Sequence, residues 1–583
     1  MRQLQVFILA ILGMLSVVAA STKKISNKTF DGVPYVPAIE AEPSLPEIPH
    51  YTSGQFAEEM KQAKKRGERK IAAVLSDANL QSDFRTYRDR FLALKDTPGS
   101  SAAADALDLI LFELEQPGSR SEDLELFAAQ LIPLRSYRGF FHRVRPLARK
   151  YPIVQSYLIT MAKQMASNIN VFLVDNDSEN MKVVFRYISE PFKYTATKTF
   201  DNKAAKEIVE IKYSNPKDAE YYGISQFSTE RDIQNWLAVD ALPRLELAVN
   251  KLNKIDLKNK TAVWDNKVIA GTNSYEDNSD RFRALGEAER NAILSNFYGN
   301  IAAIHTFNSY NANGLLALVR ELGFLYGVEE MDVFNPKEAF KPVEQRDVVF
   351  KGASAEERTD KIKKFLSKSK NEGLFTLLSN GQRNMRLAYG ASLASNEAAN
   401  LAWNEIKQRP NENSLALDGA IFRPFTTVVQ NSLNRMTSVL KGKLTDAQIT
   451  AIKRGKLDSL PKLDDHFVAI RSAISSDVVQ VNTVKFYFDS PKNLRDFLPD
   501  DFEKGNVEQE SDVMDAKGNR VRYRNYFKGN PISWVEKNYV PYFRMSTEGR
   551  PVSSDGDIKT ILRVTNQSWG GLMIGATLNS IML

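Results

Sequence analysis

Between Arg135 and Tyr151, cationic and aromatic side chains interleave: Arg135, Arg138, Arg143, Arg145, Arg149 and Lys150 with Tyr137, Phe140, Phe141 and Tyr151. A guanidinium is a planar fork of donors that matches phosphate and carboxylate oxygens, and aromatic faces stack on sugars and bases. The chemistry such a stretch could do is capture of a polyanion, such as lipid headgroups, lipopolysaccharide phosphates or nucleic acid outside the cell. Arg135, Arg138, Arg143, Arg145, Arg149 and Lys150, with Tyr137 and Tyr151, are therefore the candidate polyanion-binding residues. A competing reading turns the aromatics inward and pairs the arginines with acids on neighbouring helices.

Groups that could make and break bonds are sparse. The chain has no cysteine, which removes thiol catalysis, iron–sulfur ligation and Cys-based zinc sites. It has no GxGxxG after a strand, no Walker A loop, no GxSxG elbow and no HExxH. Of the four histidines, His50 lies among prolines, where solvation is expected, and His305 sits among apolar residues, where a core histidine is expected. Asp464-Asp465-His466 places two carboxylates beside an imidazole, but adjacent positions do not converge on one point without partners from elsewhere. Asp175, Asp177 and Glu179 copy the start of a calcium loop, yet Asn180 replaces its glycine and Arg186 its last carboxylate. Ser367 to Lys370 and Ser438 to Lys441 match SxxK without the motifs that accompany it in enzymes. No cofactor or metal is called for.

These residues need a scaffold, and length bounds it. At 583 residues the chain exceeds one hydrophobic core, and 43% hydrophobic content supports several. Its 78 basic and 71 acidic residues give a net +7, too thinly spread to announce a specific nucleic-acid binder. Arg2, the apolar run Val6 to Val18 and the small residues ending at Ala20 read as an export signal over residues 1–20, cleaved after Ala20. The alternative, a retained anchor, is short of the roughly 20 apolar residues a spanning helix needs. A cysteine-free exported chain fits a bacterial periplasmic or secreted protein better than a small disulfide-stapled one. Five prolines over residues 21–53 make a tether, read as a leader without fixed structure, or else as a stalk or docking peptide.

The expected fold is mainly α: a multi-domain helical body with a smaller α+β C-terminal region and short β-hairpin insertions. Its parts are a helical domain over 54–175, a hairpin-containing insertion over 176–228, the main helical domain over 229–465 and the mixed region over 466–583. At its centre, Phe282 to Ile304 and Leu315 to Leu325 read as an antiparallel helical hairpin around the turn Asn311 to Gly314. Capping boxes are expected at Ser119/Glu122, Thr229/Asp232, Ser354/Glu357 and Thr445/Gln448. Strands are expected at Val183 to Ile188, Ile208 to Tyr213, Val478 to Phe488, Arg520 to Phe527 and Ile561 to Val564. Thr261 to Trp264 should pair with Lys267 to Gly271 across Asp265-Asn266. The functional expectation is an exported envelope scaffold or adaptor whose partner is an envelope protein, an anionic polymer or a lipid surface. The alternative is a hydrolase of an envelope or extracellular polymer working through paired carboxylates.

Overall fold

The computed structural model describes residues 44–69, 75–97, 100–150, 183–188 except 185, 226–265, 268, 281–316, 375–410, 415–417, 426–455, 462–497 except 473–474, and 538–565 except 555, 559 and 562–563. It also gives the backbone of short strands within 29–34, 194–213 and 511–523.

The architecture is mainly α with small antiparallel sheets. Helices α1 (Ser53–Gly67), α2 (Ser82–Leu92), α3 (Ser100–Glu115), α4 (Glu122–Leu131) and α5 (Phe140–Lys150) lead. The β-hairpin β1 (Tyr194–Asp201) and β2 (Lys206–Tyr213) follows, then α6 (Glu230–Trp236) and α7 (Leu242–Lys254). Strand β3 (Ala262–Asp265) pairs with β4 (Phe282–Leu285) immediately before α8 (Glu287–Phe307). Next come α9 (Gly381–Ile406), α10 (Thr426–Lys441) and α11 (Asp446–Lys453). The C-terminal part has β5 (Val468–Arg471), β6 (Val478–Val481), α12 (Thr483–Phe488), the pair β7 (Ser511–Met514) and β8 (Arg520–Tyr523), then β9 (Phe543–Met545) and β10 (Arg550–Pro551). Its sheet runs β10-β9-β6-β5, antiparallel throughout.

The body is built around α8 and α9. Both are buried on nearly every side, as a helix apolar or small-residued all round must be. Ala288, Ala292, Ala391, Ala398 and Ala402 lie in one core, and the Ser395 hydroxyl donates 2.7 Å to the Ser295 carbonyl. Small side chains allow this close approach, and the hydroxyl finds its partner across the helix pair instead of within its own turn. Around the pair stand α7 on α8, and α1, α10, α11 and α12 on α9. Gly67 faces the Glu405 carbonyl so closely that any Cβ there would collide with backbone. Phe84, Phe127 and Trp264 form a stacked and edge-on cluster 5.3 to 5.9 Å apart beneath α2 and α4.

One buried ion cluster ties these layers together. Arg409 and Glu289 both have fully buried side chains and meet through both guanidinium ends, at 2.5 and 2.9 Å. Burial alone would push the Glu289 carboxyl up. The Arg409 charge and the amides of Gly286 and Leu417 outweigh it and hold the group below its ordinary value. Arg409 also reaches Glu405, which binds Arg66 of α1 at 2.9 Å, and Arg66 binds Glu59 at 3.1 Å.

Several expected elements take another form. Phe282 and Leu285 belong to β4, because Gly286 starts α8 with Glu289 accepting its amide at 2.9 Å. Helix α8 packs on α9, and the expected second arm from Leu315 to Leu325 lies outside the described residues beyond Leu316. Strand β3 pairs with β4, and of its expected partner Lys267 to Gly271 only Val268 is among the described residues, on a helical turn. Val183, Val184, Tyr187 and Ile188 are buried on helical turns, not on a strand. Val484, Tyr487 and Phe488 bury one face of α12, so their spacing is three and four, not two. Ile561 and Val564 are likewise helical and pack behind the C-terminal sheet. The cap of α4 is Ser121, whose hydroxyl accepts from Leu124, rather than Ser119. The boxes at Thr229/Asp232 and Thr445/Gln448 form as expected, Pro243 opens α7 after a π-helical turn at Leu237–Ala241, and Ser354/Glu357 lies outside the described residues.

Glu289→Ala leaves Arg409 buried beside Glu405 alone. The expected loss is about 3–5 kcal/mol of unfolding free energy, read from the midpoint of urea denaturation.

Candidate functional site

The arginine stretch begins on a 3-10 turn, Ile132–Tyr137, opened by Pro133. Gly139, with φ of 63°, turns the chain into α5 while its amide donates 3.0 Å to the Tyr187 carbonyl. Tyr137, 8% exposed, sits edge-on to Trp236 at 5.4 Å. Arg138, 2% exposed, donates 2.6 Å to the Ala104 carbonyl, pairs with Asp105 and lies 4.9 Å over the Tyr187 ring. These two were expected on a polyanion-binding surface and instead lie inside the body. For Arg138 the reason is that α3 presents Asp105, with Tyr187 closing the site by donating 2.6 Å to Asp108; for Tyr137 it is the aromatic packing of Phe140 and Trp236.

Arg135 pairs with Glu115, which also holds Arg244, and covers the Phe112 ring at 4.8 Å. Arg143 is half-buried over Phe227 at 5.8 Å. Arg145 is exposed on the opposite side of α5 from Phe140, Val144 and Leu147, which are buried. Next to it, His142 is lowered by burial and by the charges of Arg145 and Arg143. The side chains of Arg149 and Lys150 and the whole of Tyr151 lie outside the described residues. Of the eight candidates, the structure therefore leaves Arg145 outward, Arg143 and Arg135 partly so, and Tyr137 and Arg138 enclosed.

A second constellation was not singled out from the sequence. The last residues of the proline-rich stretch, Ser44 to His50, run without helix or strand over a groove among α7, α8, α9 and α11, whose rim is polar and whose floor under Leu45 and Ile48 belongs to the main apolar core. Pro46 and Ile48 point inward and Glu47 and Pro49 outward, while Leu45 meets Gly390. The groove contacts main chain. The Glu47 amide donates 2.9 Å to Asn250 Oδ1, and the Glu47 carbonyl accepts from Asn253 and, at 3.3 Å, from the Tyr298 hydroxyl. Lys453 Nζ donates 3.1 Å to the Pro49 carbonyl, and Ser44 Oγ donates 3.3 Å to Glu246. His305 Nε2 lies 3.2 Å from the Ser44 carbonyl and Nδ1 lies 2.9 Å from Asn384 Oδ1. Both neighbours are acceptors, so a neutral ring serves one of them at a time. Burial pushes this histidine down to about 4. The available signal was Glu47 set between the apolar Pro46 and Ile48, too short a pattern to stand out among prolines.

Where this strap runs into α1, Thr52, Ala447, Thr450 and Arg454 line a hollow of about 490 Å³. His50, expected to be solvated, is half-buried and lowered first by burial, then by Arg454 and Lys453. His466 is buried beyond a 3-10 turn, while Asp464 faces out to Lys485. Among the described residues no group of three acidic or histidine side chains converges as a metal site. Ser438 spends its hydroxyl on the Asn434 carbonyl at 3.0 Å, and its SxxK partner Lys441 faces Glu397. The calcium-like stretch 175–179 and the pair Ser367 and Lys370 lie outside the described residues. No described helix is long and apolar enough to cross a membrane. No protein-family model, curated protein or solved structure matches the chain.

Two measurements follow from this geometry. Arg138→Glu sets a carboxylate against Asp105 and should cost at least about 3 kcal/mol, whereas Arg145→Glu should stay within about 0.5 kcal/mol, both by chemical denaturation. Burial raises Glu246 to about 7 from an ordinary value of 4.5. A carboxyl raised in the folded state contributes stability that is present below the ordinary value and lost as pH rises through the folded one. Between pH 5 and pH 8 the native chain should therefore lose on the order of 2 kcal/mol relative to Glu246→Gln.

Proposed function

We propose that this chain is an exported bacterial cell-envelope protein that acts by binding, as a scaffold or adaptor engaging an anionic polymer or lipid surface. The observation carrying the reading is α5 itself. Its apolar side is anchored in the body by Phe140, Val144 and Leu147, and Arg145 stands free of that core on the other side. A guanidinium held on a rigid helix loses little freedom on meeting a phosphate or carboxylate. A second basic surface supports it: Lys61, Lys64 and Lys65 on α1 are exposed. Surface pairs such as Lys61 with Glu58 at 3.7 Å are loose and screened, so they yield readily to a denser anion.

Export rests on the leader: Arg2, the apolar run to Val18 and the small residues at Ala19 and Ala20. The buried charges support binding over bond-making. Arg409 with Glu289, Lys453 with Glu397 and Arg138 with Asp105 are each engaged inside the body, where their chemistry is consumed by packing.

The purified chain should be retained on heparin and on liposomes containing anionic lipid. Arg143→Glu combined with Arg145→Glu should elute from heparin at clearly lower salt while keeping the native circular dichroism. Equal retention of the two proteins, or none of the native chain, overturns polyanion capture. Sequencing the N-terminus of the exported product should begin at Ser21.

A further inference from the structure

The strap contacts are unusual in what they read. Asn250, Asn253, Tyr298 and Lys453 address the amide and carbonyls of Glu47 and Pro49, and none of these hydrogen bonds depends on which side chains the strap carries. Glu246 addresses a single hydroxyl. Side-chain selection is left to the two inward residues, Pro46 and Ile48, and to Leu45. Leu45 lies against Gly390, where a Cβ would stand 3.1 Å from its methyl and 3.2 Å from the Ile452 carbonyl. A glycine thus opens an aliphatic notch between α9 and α11. Donors and acceptors fixed on helices, with apolar notches for alternate residues, are the elements by which protein grooves hold extended peptides.

We propose that this groove is a peptide-binding site which the chain fills with its own residues 44–50, and which accepts in their place an extended, proline-bearing segment of a partner protein. The inference rests on the reading that the chain works by binding, and is independent of polyanion capture, since the groove and α5 share no residue. A tethered segment competes as though at millimolar concentration, so the native chain should admit an outside peptide only weakly. The groove's polar side chains are what make exchange feasible. When the strap leaves, Asn250, Asn253 and Tyr298 meet water or a second main chain, and the apolar floor under Leu45 and Ile48 calls for new aliphatic side chains to cover it.

The test uses the full chain with Leu45→Asp and Ile48→Asp, which loosens the strap without touching the groove, and an acetylated, fluorescently labelled peptide of residues 44–50. Anisotropy should show the variant binding the peptide at least tenfold more tightly than the native chain, with helical circular dichroism retained. A peptide carrying the same two aspartates should not bind, and adding Asn253→Leu to the variant should weaken binding several-fold. Loss of the helical signal in the variant would make the strap part of the core and overturn the proposal. A folded variant that ignores the peptide overturns it equally. Heparin retention is expected to be unchanged in the variant, so failure here is distinguishable from failure of the polyanion reading.

Discussion

Arg409 carries a permanent charge at a place with no solvent, and the surrounding structure is constrained by the need to answer it. A guanidinium taken out of water is tolerable only when its charge is answered in good geometry, and here both terminal nitrogens are engaged while Nε is buried without a partner. Glu289 supplies both oxygens, the Leu417 carbonyl accepts at 2.6 Å, and Glu405 accepts from the same fork. The consequence is positional. The start of α8, the end of α9 and the segment 415–417 must meet at one point. Glu289 also accepts the Gly286 amide and the Leu417 amide, so the same carboxylate fixes where β4 gives way to α8. Through Glu405 and Arg66 the constraint passes to α1, whose Gly67 rests on the α9 backbone.

The helical body was legible because its long elements repeat apolar residues at helical spacing and several begin with capping residues. Thr229/Asp232 and Thr445/Gln448 are local devices, each complete within four residues, so sequence alone identifies them. Long-range pairing was not legible. Ala262–Asp265 pairs with Phe282–Leu285, and nothing local announces a partner that distant. Phe282 and Leu285 extended the helical periodicity of α8 backwards, and only Gly286 marked the break. Short apolar runs such as Val183 to Ile188 read equally as strand or buried helix, and burial decided for helix.

The arginine stretch shows why composition alone misplaces a site. Arg138 and Arg145 look alike in sequence, seven residues apart. What separates them is a distant acid: α3 brings Asp105 to Arg138, and among the described residues nothing comparable encloses Arg145. The π-helical turn at Leu237–Ala241 adds to this. It places Asp240 where it accepts from the indole of Trp236 at 3.1 Å and pairs with Arg244, closing the aromatic nest around Tyr137. The groove under Ser44 to His50 escaped notice for the opposite reason. Its parts, Asn250, Asn253, Tyr298, His305 and Lys453, are individually unremarkable and come from three helices.

The strap also dictates an order of events during biosynthesis. Its contact from Pro49 to Lys453 spans 404 positions, so Ser44 to His50 leave the ribosome long before the helix that receives them exists. At ordinary translation speed the wait is on the order of tens of seconds. Closing so long a loop adds little thermodynamic cost, since each doubling of length costs only about 0.6 kcal/mol. The burden is temporal instead. Throughout that interval Leu45 and Ile48 travel as naked grease far ahead of their seat, open to any chaperone, and they can be covered only once Lys453 has emerged, while the C-terminal sheet is still to be made.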